Sequence, residues 1–245
     1  DDWYFLITFF NSNAYVLAAA AYIETVKKQY LCDLNESDTV TAVVTSSDTA
    51  DDLHTLAYAR TSVWYHTSPA DMLASAICGE CSPILPGGET WALKNLAGVT
   101  PVSPFTATHR TNLAAKKANS YRTIAGAGYT FDGYTVDGDY IDVQRGLDWL
   151  ENDMQVAVFN AIANAPKIPF TDNGVMIIEA EVRASLARAV TAGVLSANPA
   201  PVVTVPRVIN VSAANKAART LPDVSFSATL AGAIHKVVIN GSVSV

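Results

Sequence analysis

Trp3–Phe10 reads WYFLITFF, and after Asn11-Ser12-Asn13 the chain continues as AYVLAAAAYIETVKK, Ala14–Lys28. An unbroken apolar run of this length is the pattern of a strand covered on both faces, as in a parallel sheet. The segment behind it reads as a helix, with Lys27 and Lys28 near its negative pole. The alternation then repeats. Tyr30–Leu34 reads as a strand, Thr39–Val44 as another, Asp51–Arg60 as a helix, Ser62–His66 as a strand and Pro69–Cys78 as a helix. Strands alternating with helices make a βαβ series, so the first half is expected to be α/β with a mixed sheet.

Beyond Cys78 the pattern changes. Cys81–Pro104 is rich in Pro and Gly and ends the βα alternation. A short helix is expected over Thr108–Asn119, then a β-rich stretch over Tyr121–Val143 with turns at Asp132-Gly133 and Asp137-Gly138. Two amphipathic helices follow, one carrying Leu147, Leu150, Met154, Val158 and Ile162, the other Ile178, Val182, Leu186, Ala189 and Val190. The linker NAPKIPFTD, Asn164–Asp172, stops the first with its prolines and caps the second with Thr171 or Asp172, which predicts an antiparallel pair. A strand at Pro201–Val205 and a short helix over Ser212–Thr220 come next. The overall expectation is α/β (α+β overall): a βαβ-type first half, then a two-helix layer on a C-terminal sheet ending in a terminal hairpin. The domain boundary is expected near 104, giving 1–104 and 105–245.

The terminal stretch is LPDVSFSATLAGAIHKVVINGSVSV, Leu221–Val245. Val224, Phe226, Ala228 and Leu230 alternate, as do Ile234, Val237, Ile239, Val243 and Val245, with Ala231-Gly232-Ala233 between them. This reads as a β-hairpin with one buried face. Its last strand is either sealed within its own domain or offered to a neighbour as an open edge; the residues alone leave both open.

Composition leans toward assembly. Hydrophobic residues make up 50% of the 245 and charged residues 16%, against roughly 25% charged in ordinary globular chains. The net charge of −7, with its 16 Lys and Arg scattered, argues against nucleic acid as a partner. The N-terminal apolar run is broken by polar residues well before the roughly 20 needed to span a bilayer, so no membrane insertion is expected. The start at Asp1-Asp2, directly before a core-like strand, suggests that a preceding part is missing.

Sites for chemistry are hard to find. Nothing after the first strand matches GxGxxG, and neither a P-loop nor GxSxG occurs. Ala125-Gly126-Ala127-Gly128 leads into a strand, so it cannot aim helix-terminal amides at a phosphate. Cys78 and Cys81 have CxxC spacing but lack a second ligand pair for zinc and follow a helix rather than open one, and with Cys32 they read as inert thiols. Asp48, Asp51 and Asp52 suit a helix cap better than a metal cluster. Asp132, Asp137, Asp139 and Asp142 fit turn chemistry rather than a calcium loop. His66, at a strand end with Asp48 or Asp71 as orienting groups, is a conceivable base whose plainer reading is a hydrogen-bonded strand-end histidine. No catalytic, cofactor or metal residues are assigned, and no enzyme activity is expected.

WALKNLAGVTPV (Trp91–Val102), Gly138-Asp139-Tyr140-Ile141-Asp142-Val143 with Gly146, Asp148-Trp149-Leu150, Pro169-Phe170-Thr171-Asp172-Asn173-Gly174 and Leu230-Ala231-Gly232-Ala233-Ile234-His235-Lys236 resemble the tail sheath-like proteins of contractile-tailed bacteriophages. The resemblance runs along nearly the whole chain. It implies a structural subunit that polymerises in stacked rings around a tail tube and contracts to drive it through the host envelope. Implied partners are further copies of the chain, the tube protein and the baseplate, within a virion assembled in the bacterial host cytoplasm. In such sheaths terminal arms exchange strands between subunits, so the resemblance favours lending of the last strand: Lys236, Val237, Val238, Ile239, Val243 and Val245. A short helix before the terminal β segment attaches to the tube, which carries over to Lys216 and Arg219. No N-terminal arm and no long C-terminal extension are visible, a departure from the family pattern. The competing readings are an α/β hydrolase or small-molecule-binding protein, and another tail structural protein such as tube or baseplate.

Overall fold

Every residue of Gln29–Leu34 (β2) is buried, which is possible only if both faces and both edges of that strand are covered. In the computed structural model, which describes residues 3–9, 12–43 and 48–241, β2 pairs in parallel with Phe5–Thr8 (β1) and with Thr61–Tyr65 (β3). β3 pairs in parallel with Asn119–Ile124 (β4), and Ala127–Phe131 (β5) closes the sheet antiparallel. The order is β1-β2-β3-β4-β5, the mixed sheet anticipated from the alternating pattern.

Side-chain alternation sorts the core into two layers. On one face Tyr30, Cys32, Leu34, Val63 and Tyr65 meet Val16, Ala20 and Ile23 of the helix Asn13–Glu24 (α1). On the other, Leu31 and Trp64 meet Leu73, Ala74 and Ile77 of Leu73–Cys81 (α4) together with Trp91. Between β2 and β3 lie two helices, Asp38–Thr41 (α2) and Thr49–Leu56 (α3).

The helix α2 corrects the strand expected at Thr39–Val44, of which Val44 lies outside the described residues. Thr39 and Val40 are buried, the Thr41 amide and hydroxyl both donate to the Ser37 carbonyl, and the Asn112 amide donates to Val40 O at 2.7 Å. Burial against Ala107–Ala115 (α5) overrides the β preference of the Thr-Val run. Other boundaries shift for local reasons. α3 ends at a left-handed Ala57 before reaching Arg60, and a left-handed Met72 separates α4 from a single 3-10 turn at Pro69–Asp71.

Asp48 caps α3 as expected, accepting from the amides of Ala50 and Asp51 at 3.0 and 3.1 Å. The fully buried Lys116 donates to the same carboxylate and, at 2.9 Å, to Asp38 O. Asn119 is equally committed: its amide donates to Val63 O and Tyr134 O, and its oxygen accepts from Gly133 and Tyr134.

The Asp-Gly pairs are not what joins β4 to β5. Ala125 and Gly126, both at positive φ (50° and 86°), form the two-residue turn between Ile124 and Ala127, the twist-matched hairpin connection. Asp137-Gly138 instead closes a small loop bridged by Tyr134 and Tyr140. There the Asp137 carboxylate accepts from the Thr135 hydroxyl and the Asp139 amide.

The chain divides into two compact units. The first comprises 1–84, 89–144 and 233–245, and contains the five-stranded sheet. The second comprises 85–88 and 145–232. Ile141–Asn164 (α6) starts in the first and continues into the second; Asp172–Ala192 (α7), Val202–Thr204 (β6), Ala213–Ala217 (α8) and Ser225–Ser227 (β7) belong wholly to the second.

The terminal hairpin is corrected. Its first strand forms as β7 but pairs antiparallel with β6. The amides of Ser196 and Ala231 donate to the carbonyls of Thr229 and Val194. Residues 231–241 contribute no strand. Among the described residues no helix is long and apolar enough to cross a membrane.

Candidate functional site

The second unit is built around the α6–α7 pair. Thr171 caps α7 through its hydroxyl, which accepts from the Gly174 amide at 3.3 Å. Gly174 has no room for a side chain, since a Cβ there would lie 1.9 Å from Pro169 O. Leu150 packs with Val182, Leu186, Ala189 and Val203, and Arg188 clamps Asp153 with both Nε and Nη2, at 2.7 Å for the shorter arm. Burial works to raise the Asp153 carboxyl, but the Arg188 bonds prevail and hold it below its usual range.

On another face this pair is not covered. From Glu151 to Asn164 no residue of α6 is buried. Its apolar residues, with Ile178 and Val182 of α7 and the segment 219–230, enclose an open groove of about 930 Å³. Leu150, Val182 and Leu195 are buried beneath it, whereas Phe159 (68% exposed), Ile162 (55%), Phe226 (46%) and Leu230 (41%) line it unburied. Val224, Phe226, Ala228 and Leu230 all line this groove, so the alternation read from sequence does mark one apolar face. Covering a large apolar side chain is worth about 1.5–3 kcal/mol, so several such residues side by side leave a sizeable stabilisation unused within this unit. The groove itself was not read from sequence, although Phe159, apolar and off the predicted stripe of α6, is its signature.

The terminal segment is also apolar and exposed. Val237, Val238 and Ile239 are 74%, 84% and 87% exposed, Ile234 is 82% exposed, and Lys236 is exposed as well. Among the described residues none of them sits in a strand. Val243 and Val245 lie outside the described residues.

The expected helix Ser212–Thr220 is shorter. α8 covers Ala213–Ala217, with the Ser212 hydroxyl accepting from Asn215 N at 3.1 Å. Lys216 is in its last turn, but Arg219 lies beyond it at φ 56°. The two cations therefore do not share a helical face, and Arg219 lies at the rim of the groove.

The polar positions of the first unit serve structure. His66 Nε2 donates to Thr100 O at 2.7 Å, and Nδ1 accepts from the Ser68 amide at 3.0 Å. Asp71 lies 3.4 Å from Nε2 but also takes the Thr100 amide, and Asp48 belongs to the Lys116 pair. Asp33 is the unusual group. Burial pushes its carboxyl up to about 7, against the Ala74 amide and His66, which pull the other way, and its Oδ2 has no hydrogen-bond partner. Cys32, Cys78 and Cys81 are buried. No group of three or more His, Cys, Asp or Glu among the described residues could hold a metal ion.

Residues 141–199, which include α6, α7 and much of the groove wall, match the family model for the C-terminal domain of E217 tail sheath protein gp31-like proteins. No curated protein matches the chain at a significant level. Solved structures share its fold. A chain in the sheath complex of an extracellular contractile injection system, PVC, in its contracted state aligns with a TM-score of 0.72 at 14% identity, over 99% of this chain and 71% of that one. A chain of the anti-feeding prophage baseplate gives 0.69 at 17%, over 99% and 69%. A chain of the anti-feeding prophage helical sheath in its contracted state gives 0.64 at 19%, over 94% and 66%. At these identities the likeness speaks for the fold. The chain thus has the fold of proteins found in contractile injection assemblies, and its 141–199 segment matches a tail sheath C-terminal domain.

Proposed function

We propose that this chain is a sheath subunit of a contractile, phage-type tail: it polymerises around a tail tube, meets the baseplate at one end, and contracts to drive the tube through a host envelope. The observation that carries the reading is the pairing of an open apolar groove beside β7 with an exposed apolar terminal segment on the same chain. Lengths and chemistry agree. From Leu147 to Ile162 the α6 wall measures about 22 Å, and the six described residues Lys236–Gly241, fully extended, reach about 20 Å. A neighbour's segment laid along the groove would add main-chain hydrogen bonds at the strand edge and cover Phe159, Phe226 and Leu230. In this reading Lys236, Val237, Val238, Ile239, Val243 and Val245 form the lent strand.

The mechanism needs no reacting group. Subunits assembled in an extended lattice release free energy by repacking into a compact one, while strand links keep neighbours joined. Deleting Lys236–Val245 should abolish assembly into tubes while leaving thermal stability within about 1 kcal/mol, because the described residues it removes, 236–241, are exposed. Normal sheath tubes from the deletion in negative-stain microscopy defeat the proposal. Lys216 and Arg219 are proposed as tube-facing cations on an otherwise acidic chain. Reversing both to Glu should weaken co-sedimentation with tube severalfold, and unaltered co-sedimentation removes that role.

A further inference from the structure

Of Ala233–Gly241, His235 alone is not exposed. Thr90 Oγ1 lies 2.8 Å from His235 Nε2, within hydrogen-bond distance, and also accepts, at 3.4 Å, from the Ala92 amide. The imidazole sets its edge against the Tyr140 ring at 5.1 Å and 79°. Tyr140 in turn rests on Tyr134 at 4.9 Å, and the Lys117 ammonium lies over Tyr134 at 5.1 Å from its centroid. Asp142, whose carboxyl burial raises, feels the opposing pull of His235. All these residues belong to the first unit. The segment is thus fixed at one position, in contrast to its surroundings: Gly232 precedes it at φ 56°, Gly241 follows, and neither glycine has an atom within 4 Å of where a Cβ would lie.

We infer that His235 is the take-off pin of the terminal arm: a positioning residue that fixes the root of the arm on its own subunit and sets the direction in which Lys236 onward leaves. This rests on the reading that the segment is lent to a neighbour. A pinned root matters because docking must overcome the entropy of ordering the arm. Fixing one end in a set direction removes part of that cost and raises the effective concentration of the strand at the neighbour's groove. Unpinned, the arm would swing from Gly232.

The test uses the full chain carrying spin labels at Val237→Cys and at Ala114→Cys, an exposed position on α5 of the same unit, with the three native thiols buried. Pulsed electron resonance is recorded below the assembly concentration. A narrow distance distribution is expected; His235→Ala and Thr90→Val should each broaden it at least twofold with the melting temperature unchanged, and His235→Gln, whose amide can still reach Thr90, should restore most of it. In assembly, His235→Ala should slow tube formation about tenfold. A broad distribution in the parent, or an unaltered width in both disrupting variants, overturns the pin. The monomer measurement does not depend on tube formation: if the deletion of Lys236–Val245 assembles normally while the widths respond as stated, the arm reading fails and the anchoring stands.

Discussion

The two sheets of this protein make opposite use of apolar side chains. In the five-stranded sheet, β2 and β3 are buried at every position, and helices close both faces. In the two-stranded sheet, β6 is buried only at Val203 and β7 nowhere, although β7 alternates as cleanly in sequence. The first sheet spends its hydrophobic surface on holding one subunit together. The second leaves that surface open. A strand's pattern reports which face is apolar, not whether the cover comes from the same chain.

Substitutions can break or sharpen this contrast. The largest effect is expected at the buried pair of the first unit: Lys116→Met leaves the Asp48 carboxylate buried without its cation and should cost about 3–5 kcal/mol in denaturant unfolding, and a loss below 1 kcal/mol would show that this core tolerates charge. Next comes Asp33. Its native carboxyl keeps its proton up to about 7, whereas an unfolded aspartate loses it near 4. The folded state therefore binds more protons between those values, and the stability from this group, full below about pH 4, is lost as pH rises to about 7. Asp33→Asn should flatten that slope and stabilise the protein at pH 8 by about 2–4 kcal/mol; an unchanged slope in thermal melts between pH 4 and 8 refutes it. The smallest effect on stability belongs to the groove. Phe159→Ser, at a 68% exposed position, should change unfolding by no more than about 0.5 kcal/mol yet reduce tube assembly severalfold, and a large loss of stability would mean that the groove is a core after all.

Much of the architecture was legible in the sequence because periodicity is local. β1, β2, β3 and the α6–α7 pair follow from apolar spacing, and the caps at Asp48 and Thr171 from side-chain chemistry. What was missed depends on distant partners. Thr39–Val44 could not reveal that Asn112 would capture Val40 O, nor could the Asp-Gly pairs reveal that Ala125-Gly126 would take the hairpin. Leu221–Val245 showed an apolar face on β7 but not that β6 would take its ladder. The groove was hidden for a related reason: Phe159 looks like an ordinary helix residue until the elements around it are known to stop short.

The sulfur chemistry of the chain bears on how such a particle would endure. Cys32, Cys78 and Cys81 are all enclosed, and burial moves the Cys32 thiol well above its ordinary range, so no nucleophilic thiolate faces outward. Were the chain to pack into the proposed lattice, its copies could sit in an oxidising medium without stray crosslinks welding neighbours, and subunits that must shift against one another would stay free to do so.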